Sequence, residues 1–356
     1  MTSKERLLKA FRREIPDRVP VAPMVNPGWL KLAGTRKEEF IRKMDLMMDI
    51  WINTDMECYL GEKAKTIATR QNKDNKLIDT IFTPKGELTR ISSADPNMLD
   101  WVLKPFLEDE SDIEKFLSVE YLPLVPDMKE FSEWENRIGQ EGAVMALISD
   151  AVCLPGLWMS PERFMLMCVD NFNLIKKLLD TASERINDYV EHLCKSGVGF
   201  FRIAGPELAS QTLMGPGWFS KLVAPYDKKL VDIIHKYDGI AFCHCHGKVR
   251  TILDEIAGTG IDALSPMEDI PNGDISLEEA KKRIGDRVCL VGNLDDMEFI
   301  GKKSREEIET KSLELIKNAD YNGGFVLGGS ESGVYTEKIL EGFLYMAEVS
   351  AKHGNY

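Results

Sequence analysis

The chain has 356 residues, 44% hydrophobic and 29% charged, with a formal net charge of −13. That balance is globular and long enough for one barrel of alternating strands and helices, while the acidic surface disfavours nucleic acid and anionic membranes as partners. The opening MTSKERLLKAFRRE lacks the apolar stretch of a signal peptide. No run approaches the ~18 apolar residues of a membrane span. The seven cysteines are too scattered for a disulfide framework, so a soluble cytoplasmic protein is expected.

SKERLLKAFRRE is an amphipathic helix and RVPVAPM a first strand. Residues 58–92 alternate in short bursts, EKAKTIATRQ and KLIDTIFTPKGELTRIS, and are expected to form β-hairpins inserted after the first barrel unit. LEDESDIEKF begins a helix at Ser111, and AVMALIS near 143 resumes the barrel. From about 172 the pattern is regular. A helix over FNLIKKLLDTASERINDYVEHLCK is followed by the strand VGFFRIA, the helix GWFSKLVAPYDKKLVDIIHKY and the strand GIAFCHCHG. Then come the helix KVRTILDEIAG, the strand IDALSPM, the helix LEEAKKRIG, the strand RVCLVGN, the helix REEIETKSLELIKNA, the strand GGFVLGG and a closing helix. Ser276 with Glu279, and Ser304 with Glu307, have the spacing of capping boxes. Strand–helix alternation implies parallel strands with helical crossovers, in a closed barrel or a doubly wound sheet. No glycine-rich dinucleotide fingerprint follows a strand, which weakens the second option.

The stretch AFCHCHGK, residues 241–248, carries the most specific chemistry. Side chains alternate along a strand, so His244 and His246 share one face and Cys243 and Cys245 the other. Two histidines at i, i+2 beside a C-terminal strand end can chelate one divalent ion. The spacing alone leaves this reading and two histidines hydrogen-bonded to loop backbone both open. Neighbouring strand ends add oxygen donors: Glu207 in GPE, Glu268 and Asp269 in SPMED, Asn293, Asp295 and Asp296 in GNLDD, and Glu331 in GGSES. Together they form a candidate mononuclear zinc site with an open position for substrate. Cys243 and Cys245, on a buried strand flank, are expected to be inert.

The segments SKERLLKAF…PDRVPVAP, GPELASQTLMGPGWFSKLVAPYDKKLVDIIHK, CHCHGKVRTILDEIAGTGIDALS, KKRIGDRVCLVGNLDD and GGFVLGGSESG resemble, in order, the uroporphyrinogen decarboxylase superfamily. They are nearest its methylcobamide:coenzyme M methyltransferase-like branch. The resemblance implies an α/β fold, a (β/α)8 TIM-type barrel with an N-terminal helical and β-hairpin elaboration, forming a single domain over residues 1–356. It also implies a corrinoid-dependent methyltransferase. Two departures matter. The stretch VAPMVNPGWLKLAG lacks the arginines that decarboxylases use for porphyrinogen carboxylates. Where the methyltransferase branch has His-x-Cys-Gly and a later cysteine holding zinc, this chain has His244, His246 and, at the late position, Glu331. Nitrogen and oxygen ligands would make the metal harder than a thiolate site.

The expected ligands are therefore His244, His246, Glu268 and Glu331. Glu207, Asn293 and Asp296 are the expected catalytic groups, and Asn26, Trp158 and Glu207 the expected substrate contacts. No Asp-x-His-x-x-Gly corrinoid motif occurs, so a corrinoid would arrive on a separate protein. The expected activity is zinc-dependent methyl transfer between a small methylated ether, amine or thiol and that corrinoid. The alternatives are a carboxy-lyase acting on a small carboxylate or a uroporphyrinogen-like tetrapyrrole, and a non-catalytic barrel with a structural metal.

Overall fold

The computed structural model describes residues 1–32, 34–95, 101–318, 322–333 and 336–356. Eight strands make the central sheet: β1 (Met24–Val25), β2 (Leu46–Ile50), β7 (Gly142–Ser149), β8 (Phe200–Ala204), β9 (Ile240–His244), β10 (Ala263–Ser265), β11 (Cys289–Leu294) and β12 (Phe325–Gly329). They lie side by side in chain order, and every neighbouring pair is parallel. The sheet closes where Val21 bridges Leu327. There the amide of Ala22 donates to Leu327 O at 3.0 Å and that of Leu327 to Pro20 O at 2.9 Å. Parallel neighbours need crossovers, and helices on the outside supply them. The result is the expected (β/α)8 barrel.

Strand alternation sorts the apolar residues into two layers. Met47, Met145, Phe200, Ile240, Phe242, Val291 and Val326 fill the lumen. The first helix, Ser3–Phe11, closes the N-terminal end of the barrel by inserting Leu7, Ala10 and Phe11. Phe11 meets Phe200 and Phe242 edge-on, at 6.4 and 5.8 Å between ring centroids. Ala241, Cys243, Ile203, Leu264 and Leu290 belong to the larger layer between sheet and helices. Fully buried Asp45 ties this end together, accepting from Arg6 Nη1 at 2.5 Å, Arg18 Nη1 at 2.9 Å and the Val21 amide at 2.9 Å.

Four sequence expectations are corrected. The inserted element is an antiparallel sheet of β3 (Ala68–Lys73), β4 (Lys76–Thr83), β5 (Gly86–Ser93) and β6 (Val102–Lys104), so it runs past 92, and residues 58–67 are largely helical. It follows the second barrel strand, because LMMDI is itself strand β2, buried on both faces and therefore without alternation. The long helix over GWFSKLVAPYDKKLVDIIHKY is two, Phe219–Leu222 and Ala224–Lys236. Pro225 has no N–H to continue a helix and instead sits in the first turn of the second. The helix of KVRTILDEIAG shortens to Leu253–Gly258. No helix among the described residues is long and apolar enough to cross a membrane.

Candidate active site at the barrel mouth

β9 ends at His244, where the Cys245 amide donates to Ser265 O at 2.7 Å. His244 has the parity of Ile240 and Phe242, so it points into the lumen. Its ring lies 4.4 Å from that of His246, at an interplanar angle of 88°. Cys243 and Cys245 pack outward, 2% and 0% exposed, and burial pushes both thiols well above their ordinary range. Gly247 makes the turn that follows, with φ +82° and no room for a side chain, since a Cβ would stand 2.5 Å from Thr212 Oγ1.

Each histidine meets a carboxylate through Nδ1. Glu331, beyond β12, brings Oε2 to 2.9 Å from His244 Nδ1. Glu268, beyond β10, brings Oε2 to 3.4 Å from His246 Nδ1 and accepts from the Gly247 amide at 2.7 Å. Arg202 on β8 donates from Nη1 to Asp49 of β2 and from Nη2 to Glu331. Burial opposes the Glu331 charge, but Arg202 and His244 outweigh it and hold the carboxyl at about 2. Burial, then Arg202, lowers the His244 pKa below its ordinary value despite Glu331. His246 moves the other way: burial is outweighed by Glu268, Glu331 and Glu207, and its pKa rises. Burial lifts Asp49 to about 7.

The four expected ligands thus meet at one mouth, but as two histidine–carboxylate pairs. Among the described residues, no three His, Cys, Asp or Glu side chains are grouped around one point as a metal site requires. Neither Nε2 has a hydrogen bond among the described residues.

The other expected site residues divide. Glu207, half-buried after β8, has an Oε2 with no hydrogen-bond partner and lies close enough to raise the pKa of His246. Asn293 in β11 is 4% exposed, and its Oδ1 is also without a partner. Asp296, expected as a catalytic group, accepts with its two oxygens from the amides of Ser330 at 3.1 Å and Ser332 at 2.9 Å and so holds the loop that carries Glu331. Burial lifts its carboxyl to about 6. Asn26, exposed after β1, caps the helix Pro27–Leu32 by accepting from the Trp29 amide at 2.9 Å. Trp158, expected as a substrate contact, is packed among aromatic rings. It is 2% exposed, between Tyr59, Phe106 and Phe116 at 5.6, 4.7 and 5.4 Å.

Sequence reading missed Arg202 and Asp49, charged residues inside apolar strands. A cavity of about 300 Å³ opens between the segments after β10 and β11, lined by Glu268 and Asn293 but by neither histidine.

A parallel barrel that gathers titratable side chains at the C-terminal ends of its strands has the architecture of an enzyme. The uroporphyrinogen decarboxylase (URO-D) family pattern matches residues 135–350, which hold β7–β12 and both histidine–carboxylate pairs, and the chain belongs to this family. Its relatives include methyltransferases and decarboxylases. Methylcobamide:CoM methyltransferase MtaA of Methanosarcina barkeri is 26% identical over 297 residues, 82% of each chain. The uroporphyrinogen decarboxylase of Trichodesmium erythraeum is 23% identical over 334 residues, 89% of this chain and 87% of that one. Among solved structures, a methyltransferase from Methanosarcina mazei shares the fold, with a TM-score of 0.65, 16% identity and 98% of both chains covered.

Proposed function

We propose that the protein is a zinc-dependent methyltransferase that moves a methyl group between a small methylated compound and a corrinoid carried by a separate protein. The observation that carries this reading is the pair of imidazoles at the mouth, each with a carboxylate oxygen beside Nδ1, at 2.9 Å for His244 and 3.4 Å for His246. Metal-binding histidines use that arrangement, in which the carboxylate sets the tautomer and the ring orientation. The methylcobamide:CoM methyltransferase relatives, which cover 82% of this chain, support the reaction class.

Two imidazole nitrogens are the donors this mouth offers a metal, fewer than the three protein ligands of a usual catalytic zinc site. His244 and His246 would hold it through Nε2, and the unpartnered Glu207 Oε2 is a further oxygen near His246. Glu331 and Glu268 would then orient the rings rather than bind the ion. Zinc bound there would act as a Lewis acid on the heteroatom that carries or receives the methyl group. Ionised Glu331 requires the proton of His244 on Nδ1, so the neutral ring presents its lone pair at Nε2. Arg202 keeps Glu331 ionised, and Asp296 holds the loop on which it sits.

A carboxy-lyase reading is less favoured. Arg202 is the cation inside the mouth, and it is engaged by Asp49 and Glu331, leaving no obvious clamp for substrate carboxylates. The test is to mix purified protein with a reduced corrinoid and a panel of methylated ethers, amines and thiols, and to follow corrinoid absorbance. Methylation of the cobalt with one donor class supports the proposal. Carbon dioxide release from a carboxylated substrate, with no methylation from any donor, overturns it.

A further inference from the structure

We infer that Asp295 and Asp296, the adjacent acids at the end of β11, are positioning residues: they brace the loop after β10 and the loop after β12, and so keep both histidine–carboxylate pairs in register. That the braced imidazoles serve a metal rests on the zinc reading above; the brace itself does not.

The first observation is where the two carboxylates come from. Both histidines stand at the end of β9, but Glu268 lies beyond β10 and Glu331 beyond β12. β11 runs between those two strands in the barrel. Its end is therefore a fixed point that both loops can share.

The second observation is the arm made by Asp296, which is 1% exposed. Its Oδ1 accepts from the Ser330 amide at 3.1 Å and its Oδ2 from the Ser332 amide at 2.9 Å, while its own amide donates to Ser330 Oγ at 3.1 Å. These bonds flank Glu331 on both sides. Glu331 has φ +58°, a left-handed backbone that a residue with a side chain seldom adopts unless its surroundings hold it there. Gly329 makes room for the arm, since a Cβ there would stand 1.8 Å from Asp296 Oδ1.

The third observation is the arm made by Asp295. Its Oδ1 caps the helical turn Asp296–Ile300, accepting from the Met297 amide at 2.9 Å and the Glu298 amide at 2.6 Å. Its Oδ2 accepts from Asn272 Nδ2 at 2.8 Å. Asn272 belongs to a tight turn that includes Glu268. The Gly273 amide donates to Asp269 O at 3.0 Å, and a Cβ at Gly273 would stand 2.0 Å from Glu268 O. A shift at Asn272 is thereby passed to the backbone of Glu268. This bond is exposed, so water competes for it and the arm is the weaker of the two. Glu268, Asn272, Asp295 and Ser330 line the same cavity, so the brace runs along its wall.

The experiment is nuclear magnetic resonance of the metal-free full chain near neutral pH, labelled at the histidine ring nitrogens, together with zinc affinity measured by competition with a chelator. In wild type, His244 should hold its proton on Nδ1. In Asp296→Ala, the His244 ring signals should move toward the tautomer mixture of a free histidine, while those of His246 stay in place. Zinc affinity should fall about tenfold, the low end of the range for losing a group that orients a metal-binding histidine. Asp296→Asn, which keeps the shape and one acceptor, should give a smaller shift in the same direction. Asn272→Ala, an exposed change that spares the fold, should move the His246 signals, leave those of His244 alone and lower zinc affinity less than tenfold. Wild-type His244 signals in folded Asp296→Ala and Asp296→Asn would overturn the inference. So would equal displacement of both rings in Asp296→Ala, the mark of general loosening, or wild-type His246 signals in Asn272→Ala. Failure of the wild type to bind zinc, with the ring signals shifting as expected, would remove the zinc reading and leave the brace standing.

Discussion

Arg202 and Glu331 form a buried ion pair whose carboxylate oxygen also stands 2.9 Å from His244 Nδ1. The pair joins β8 to the loop after β12 and, through the second arm of Arg202, to Asp49 on β2. Three strands thus meet at one guanidinium, which sets the charge beside the inner histidine.

Removing that guanidinium strands two buried carboxylates. Arg202→Met should therefore cost about 3–5 kcal/mol of stability, the usual penalty for breaking a buried pair from one side. The triple variant Arg202→Met, Asp49→Asn, Glu331→Gln should recover a large part of that loss, because no uncompensated charge remains. Urea unfolding of the three proteins measures both effects, and a single variant within 1 kcal/mol of wild type would contradict this view of the pair.

A second buried acid predicts the pH dependence of stability. Burial lifts Asp227 to about 8, against ~3.9 in an unfolded chain. The folded state holds this proton more tightly, so its contribution is complete below about pH 4 and is lost as pH rises through about 8. Asp150, also raised by burial and by Asp227, acts in the same direction. Wild-type stability should fall between pH 5 and pH 8.5, and Asp227→Asn should be the more stable protein at the upper end. Unfolding midpoints at the two pH values decide the matter, and a variant with the wild-type slope refutes it.

The two cysteines behind the histidines give a third expectation. Replacing Cys243 and Cys245 with Ala should cost about 1–3 kcal/mol, as other buried changes do, and leave bound zinc unchanged. Elemental analysis of the double variant checks it. Loss of the metal would mean that a thiol turns into the mouth and binds it.

Trp158 gives the complementary case. Its ring fills an aromatic cluster with Phe106 and Phe116, so Trp158→Ala should cost about 3–5 kcal/mol and Trp158→Phe much less. Ligand affinity per folded molecule should not move in the Phe variant. A selective loss of affinity there would return Trp158 to the substrate.

Much of the barrel could be read from the chain because β8 to β12 are short apolar runs between helices, two of which open on the capping residues Ser276 and Ser304. The opposite facing of His244 and Cys243 followed from strand parity alone. β2 was hidden because LMMDI is buried on both faces and so shows no period of two. Arg202 and Asp49 were hidden for a related reason. Each is one charge inside an apolar strand, and its meaning lies in a partner 153 residues away. Glu268 and Glu331 were visible as strand-end acids, but whether such an acid binds a metal or orients a histidine depends on which ring atom it faces, and that is a matter of geometry. Trp158 illustrates the same limit: an aromatic just past a strand end can line the mouth or pack under a helix, and only the neighbouring rings decide which.

The most direct measurement compares corrinoid methylation by wild type with that by the His244→Ala, His246→Ala double variant, alongside the zinc content of each, with folding verified by circular dichroism. The expected result is about one zinc per wild-type chain with steady methylation of the cobalt from a methylated donor, and loss of both in the folded variant. Methylation at the wild-type rate by a folded double variant would contradict the central claim that the paired histidines at this mouth carry the methyl transfer.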